Sequence, residues 1–241
     1  MNTEPFLTPY VSGKQVLIQF PATGITDRGD LQFFYDHVKD IPNCNLLDVG
    51  ANKGYYSLLS VVKPDLYYYS FEPNPRIYKR FLLNHIAINR VQNRGETFNY
   101  GLSKEPCTTR LWYDNSLRGS MIKDELKEKE IQEILAKSPK RAGHVRYTSV
   151  EAEFRKFDDV APAILKGRDI HAVKIDVEGA EEWVLDGGRE FFSRTSAVMF
   201  IEIIQLYCGK FGSTVGGIVD KLKTFGYKTF ERVGCNCYCT K

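Results

Sequence analysis

The segment Leu46–Gly54, LLDVGANKG, constrains the fold of this chain more than any other. The run NLLDV (45–49) has the length and apolar character of a buried strand, and it ends in a turn bracketed by Gly50 and Gly54. Gly50 can let the backbone approach a ligand closely, because it has no Cβ and tolerates positive φ. Beyond the turn, Tyr55, Leu58, Leu59 and Val62 fall at i, i+3, i+4 and i+7, which predicts one face of a helix. The start of that helix offers unpaired N–H groups to polar ligand atoms. The pattern is neither G-x-G-x-x-G nor a phosphate-binding loop, since G-K-[ST] is missing.

The rest of the chain repeats the strand-then-helix rhythm. LYYYSF (66–71), TFNYGL (97–102), HAVKID (ending at Asp176) and AVMFIEI (197–203) read as buried strands. Pro75 suits the first turn of a helix running to about Asn89, with Ile77, Phe81 and Ile88 inward. Further helices are expected over about 180–189 and 214–225, and YKTFERV with CNCYCT closes the chain as an antiparallel hairpin. Such alternation predicts an α/β fold with a mostly parallel sheet, covered by helices on both faces. Residues 1–44, with KQVLIQF and RGDLQFFYDHVKD, read as an N-terminal cap on a core spanning 45–241. The charged stretch at about 114–145, centred on KDELKEKEIQEILAK, reads as a bent or broken, mostly solvated helix inserted into that core; the sharper alternative is a lid over a substrate. No repeat or low-complexity linker interrupts the 241 residues, so a single domain is expected.

Composition narrows the function classes. With 43% apolar and 13% aromatic residues the chain can bury a large core. A net charge of +3 is too mild to favour nucleic acid as a partner. The most apolar run, Ala197–Leu206, is too short to span a membrane and is broken by Glu202. The N-terminal residues lack the pattern of a secretory signal, so the cytoplasm is the default expectation. Cys235, Cys237 and Cys239 alternate, unlike the spacing of zinc knuckles, and would share the core-facing side of a strand.

Several acids stand where chemistry is expected. Asp48, just before the Gly50 turn, would repel a dinucleotide pyrophosphate and welcome the α-ammonium of S-adenosylmethionine; it could equally cap the helix. Glu72 follows at the end of the next strand, where Rossmann-like folds place the acid that accepts from ribose hydroxyls. In KIDVEGAE, Lys174, Asp176 and Glu178 alternate at a strand's carboxyl end, and Gly179 permits a sharp turn into a helix. Asp176 could hold the methyl donor, orient an acceptor hydroxyl or act as general base. With Glu178 or Glu202 it could also help ligate a divalent metal, although nothing in the pattern specifies one. Glu202 lies inside an apolar strand and must be paired or face a cleft, because an isolated buried charge is very costly.

Taken together, DVGANKGYYSLL, FEPNP, YGLS and VKIDVEGAEEWVLDGG resemble the FkbM family of methyltransferases, over about residues 45 to 204. The resemblance implies a class I methyltransferase Rossmann-like fold, with a seven-stranded sheet, and S-adenosylmethionine as cofactor. It implies that Asp48, Gly50, Asn52 and Gly54 line the methionine part, with Ala51 and Tyr55 in the same turn. Glu72 would hold the ribose, Pro73 and Asn74 would lie beside it, and Leu102 with Ser103 would flank the adenine. Asp176, Glu178 and Glu202 are the implied catalytic acids, and the implied acceptor is a sugar, polyketide or other small hydroxylated metabolite. Family members often carry a His shortly after the glutamate at 202, whereas this chain has Ile204 and Gln205. Of His37, His85, His144 and His171, only His144 in the inserted segment is worth testing as a base. The competing expectations are ribose 2′-O-methylation of RNA and a cofactor-binding protein without catalysis.

Overall fold

The computed structural model describes residues 5–11, 14–19, 28–114, 119–123 and 147–241. His144 and the charged segment beyond Lys123 lie outside the described residues.

The chain opens with an antiparallel hairpin, β1 (Pro5–Val11) and β2 (Lys14–Gln19), and a helix, Arg28–Val38. The parallel strands β3 (Asn45–Val49), β4 (Tyr67–Phe71) and β5 (Gly95–Phe98) follow. A second sheet collects β6 (Gly101–Leu102), β7 (Cys107–Asp114), β8 (Gly119–Ser120) and β9 (Tyr147–Arg155) in the order β6-β9-β7-β8. The chain then returns to the first sheet with β10 (Ala172–Ile175), β11 (Val198–Glu202), β12 (Thr229–Val233) and β13 (Asn236–Thr240). That sheet has seven strands in the order β12-β13-β11-β10-β3-β4-β5. Only β13 runs against the other six strands, and its pairing with β12 makes the closing antiparallel hairpin, so the expected mostly parallel sheet with that hairpin is observed.

Burial on both faces explains why these strands are nearly continuous apolar runs. Leu47, Val49, Tyr69, Val173, Ile175 and Ile201 point to one side, toward helices Phe157–Leu165, Glu181–Gly187 and Val215–Thr224. Leu46, Tyr68, Ala172 and Phe200 point to the other, where Phe34, Leu58, Leu82 and Ile86 cover them. Each fully buried Leu or Phe contributes about 1.5–3 kcal/mol of transfer free energy. Cys237 and Cys239 face the first of these layers as expected, while Cys235 sits exposed in the hairpin turn.

Four local expectations need correction. The helix read from Tyr55 is instead a 3-10 helix, Ser57–Val61. Positive φ at Asn52 (49°) and Gly54 (84°) keeps the chain out of right-handed helix until late, and Pro64 soon follows. The helix at Pro75 does run to Ile88, but Tyr78–Leu82 forms a π turn. Its extra residue rotates the buried face, so Leu82 and Ile86 point inward and Ile88 is exposed. TFNYGL splits between β5 and β6, which belong to different sheets. Lastly, β7, β9 and the helix Phe157–Leu165 have no counterpart among the expected elements, although Leu111 and Tyr113 in β7 and Ala152 and Phe154 in β9 alternate inward.

The order of the large sheet places its topological switch between β3 and β10, from which the chain departs in opposite directions. Open α/β sheets bind ligands at the carboxyl ends of strands at such a point.

Candidate functional site

The carboxyl ends of β3, β4, β10 and β11 carry the residues of interest. The turn after β3 is pinned to β4, with the N–H groups of Gly50 and Ala51 both donating to the Phe71 carbonyl at 3.0 and 2.9 Å. Gly50 has φ 82°, and a Cβ there would stand 1.9 Å from the Asp176 carbonyl oxygen. The close approach that demands glycine is therefore made by the chain leaving β10. This packing brings Asp176 beside the turn, and the Asp176 N–H donates to the Val49 carbonyl at 3.0 Å.

Glu72, immediately after β4, is buried and held at both oxygens. Oε1 accepts the Asn74 N–H at 2.7 Å and Oε2 accepts the Asn52 N–H at 2.9 Å. Burial pushes its carboxyl up to about 7, against the lowering effect of these two N–H donors. Asn74 caps the helix that starts at Pro75, its Oδ1 accepting from the N–H groups of Arg76 and Ile77. Its fully buried Nδ2 has no hydrogen-bond partner among the described residues. Pro73 lies against Gly101, so Leu102 and Ser103 follow close by; both are buried, and the Ser103 N–H donates to the Arg155 carbonyl at 2.9 Å.

Asp48 lies deeper than a surface acid. It is 1% exposed, and Ser57 Oγ donates to its Oδ2 at 2.7 Å. Burial raises its carboxyl to about 6. The residues Asn52 and Tyr55, half-buried in the turn above it, are closer to solvent.

Asp176 is the more accessible acid, with 37% of its side chain exposed, and Lys174 Nζ stands 3.5 Å from its Oδ2. Lys174 is itself buried, between the rings of Tyr56 and Phe200. Ile175 and Ile201 are register partners, so Asp176 and Glu202 leave adjacent strand ends together. Burial pushes the Glu202 carboxyl up to about 9; Asp176 and Glu178 add to this and Lys174 opposes it. Glu178 adopts φ 56° in the turn, and Gly179 at 107° packs against the Tyr207 carbonyl.

One residue of KIDVEGAE was not singled out from the sequence. Glu181 Oε1 accepts from the N–H groups of Val177 and Gly179 at 3.2 and 3.1 Å, fixing the loop that carries Asp176 and Glu178. It is 1% exposed, and burial raises its carboxyl to about 7. A glutamate opening a helix just after a glycine turn is the available signal for such a cap. No group of three or more His, Cys, Asp or Glu side chains among the described residues is arranged to hold a metal ion. Nor is any described helix long and apolar enough to cross a membrane.

Residues 48–229 match the family model described as the methyltransferase FkbM domain. Among solved structures, the chain is similar to a methyltransferase FkbM from Methylobacillus flagellatus KT, with a TM-score of 0.55 at 13% identity. That likeness covers 87% of this chain and 46% of the other, so this chain spans about half the length of that relative. It is also similar to a precorrin-6y C5,15-methyltransferase from Geobacter metallireducens GS-15, with a TM-score of 0.48 at 13% identity, covering 89% of this chain and 87% of that one. No curated protein matches the sequence. The chain belongs to the FkbM methyltransferase family, and its fold is the Rossmann-like fold of class I methyltransferases.

Proposed function

We propose that this FkbM-family chain transfers the methyl group of S-adenosylmethionine to a hydroxyl oxygen on a small acceptor, such as a sugar or polyketide. The residues present fit that cofactor. Glu72 is held rigidly by two backbone donors, which leaves lone pairs on both oxygens for a ribose diol. The buried Asn74 amide beside it has a donor to spare among the described residues. Gly50, Ala51, Asn52, Gly54 and Tyr55 form the turn that would receive the methionine part, with Asp48 buried beneath it at the end of β3, and Leu102 with Ser103 would border the adenine. The cofactor supplies an electrophilic methyl on a positively charged sulfur. The partly exposed Asp176 carboxylate at the strand ends would favour such a cation nearby.

The observation that carries the reaction is Asp176, a partly exposed carboxylate steadied by a buried ammonium at 3.5 Å. Asp176 would receive the proton that the acceptor hydroxyl loses as its oxygen bonds the methyl carbon, the methyl–sulfur bond breaking and S-adenosylhomocysteine leaving. Glu202, with its carboxyl raised to about 9, keeps its proton at neutral pH and acts as a donor beside Asp176. Glu178, in the turn between them and Glu181, would orient the acceptor. The rest of the task is alignment of acceptor, methyl and sulfur.

The test is transfer of tritiated methyl from S-adenosylmethionine to a panel of hydroxylated small molecules, amines and an RNA oligonucleotide. Labelling of hydroxyl acceptors, lost by ~10²–10⁴-fold in Asp176→Ala, is the expected result. Labelling confined to amines or to RNA would overturn the proposed acceptor class.

A further inference from the structure

Asn236, in the first position of β13, carries a second set of contacts that the family match does not include. Its Oδ1 accepts from Lys174 Nζ at 2.9 Å, and its Nδ2 donates to Asp30 Oδ2 at 2.8 Å. The two ends of this amide are chemically unambiguous, since an ammonium only donates and a carboxylate only accepts. Asn236 is 5% exposed and Lys174 is 2% exposed, so water does not compete for either group. Lys174 has three protons and three acceptors: the Asn236 amide oxygen, the Ile175 carbonyl at 3.3 Å and the Asp176 carboxylate at 3.5 Å. Asp48 is its register partner on β3, and Glu202 also senses its charge. An ammonium in such a place goes where its acceptors put it.

We propose that Asn236 is a positioning residue of the methyl-transfer site: it orients the Lys174 ammonium beneath Asp176, and Asp30 fixes Asn236 in that pose. The proposal rests on the role given to Asp176 above. Lys174 and Asp176 fall inside the matched span 48–229, whereas Asp30 and Asn236 fall outside it. The pose of a buried cation shared by the core is thus set from the N-terminal helix and the C-terminal hairpin. Without Asn236, Lys174 keeps two of its three acceptors and can turn toward Asp48, leaving Asp176 less well held.

The test uses the full chain in three forms: Asn236→Ala, Asn236→Asp, and Asn236→Asp combined with Asp30→Asn. The combined variant reverses the polarity of the outer hydrogen bond, with the new amide at 30 donating to the new carboxylate at 236. In that variant Lys174 retains an acceptor, whereas Asn236→Asp alone sets two carboxylates against each other. Hydrogen exchange of the Lys174 ammonium and the Asp176 carboxyl carbon shift are read by NMR, with melting midpoint and S-adenosylhomocysteine affinity measured in parallel. Expected is at least tenfold faster exchange and a displaced Asp176 resonance in Asn236→Ala, with both restored in the combined variant. Wild-type exchange and resonance in folded Asn236→Ala, or no restoration in a folded combined variant, would overturn the positioning role. Failure of the wild type to bind S-adenosylhomocysteine would instead strike the cofactor reading, whatever the two NMR signals do.

Discussion

Glu72 reaches from the end of β4 to accept the backbone N–H of Asn52 at 2.9 Å, tying the acid of one strand to the turn that follows another. With the Asn74 N–H on its other oxygen, this carboxylate is both a structural tie and the best-prepared acceptor for a diol in the cleft. Replacing it by Ala strands the buried Asn74 N–H, at a cost of about 1–3 kcal/mol when unsatisfied, and frees the half-buried Asn52 N–H, which solvent can partly satisfy. Glu72→Ala is therefore expected to lower stability in urea unfolding and to weaken S-adenosylhomocysteine at least tenfold. Glu72→Gln, which can still accept one of the two bonds, should retain more of both.

Burial raises Glu72 and Glu181 to about 7 and Asp48 to about 6 in the folded chain, above the ordinary carboxylate range of the unfolded one. Between those values the folded state binds more protons than the unfolded state, so stability falls as pH rises. The contribution is fully present below about 4 and lost as pH rises through about 6 to 7. Thermal unfolding without ligand should give a decreasing midpoint from this group of acids across pH 5 to 7.5. Glu181→Gln should flatten the slope, since its amide does not titrate.

Gly50 and Gly54 predict a contrast. A Cβ at Gly50 meets the Asp176 backbone at 1.9 Å in a left-handed conformation, and neither neighbour can yield. At Gly54 the added Cβ meets only the end of the Leu82 side chain, which can rotate away. Gly50→Ala should cost about 2–5 kcal/mol, combining left-handed strain and overpacking, and should displace Asp176. Gly54→Ala should cost less than Gly50→Ala in the same urea titration.

Glu202 and Asp176 are separable by pH. Because Glu202 holds its proton up to about 9, Glu202→Gln removes little charge at neutral pH, and methyl transfer at pH 7 should stay within a few fold of wild type. Asp176→Asn should lose ~10²–10⁴-fold. A loss of that size in Glu202→Gln would make Glu202 the base.

What the sequence makes legible here follows from how each feature is encoded. Strands β3, β4, β10 and β11 are buried on both faces, so each stands out as a short apolar run ending in Asp, Glu or Gly. The site acids are legible for the same reason, being the charged residues at the ends of those runs. The 3-10 helix at Ser57–Val61 and the π turn at Tyr78–Leu82 depend on a few backbone angles and leave no periodic trace. The second sheet was hidden because β7 and β9 carry charges on their outer face and pair across the charged insertion. Asn236 was invisible because its partners Lys174 and Asp30 lie 62 and 206 residues away.

The most direct test of the account is calorimetric titration of the whole chain with S-adenosylhomocysteine, beside a folded Glu72→Ala variant. Saturable binding by the wild type that weakens at least tenfold in the variant is the expected result. A folded wild type that binds none, or a variant that binds as tightly, would contradict the assignment of Glu72 and the turn after β3 to the cofactor.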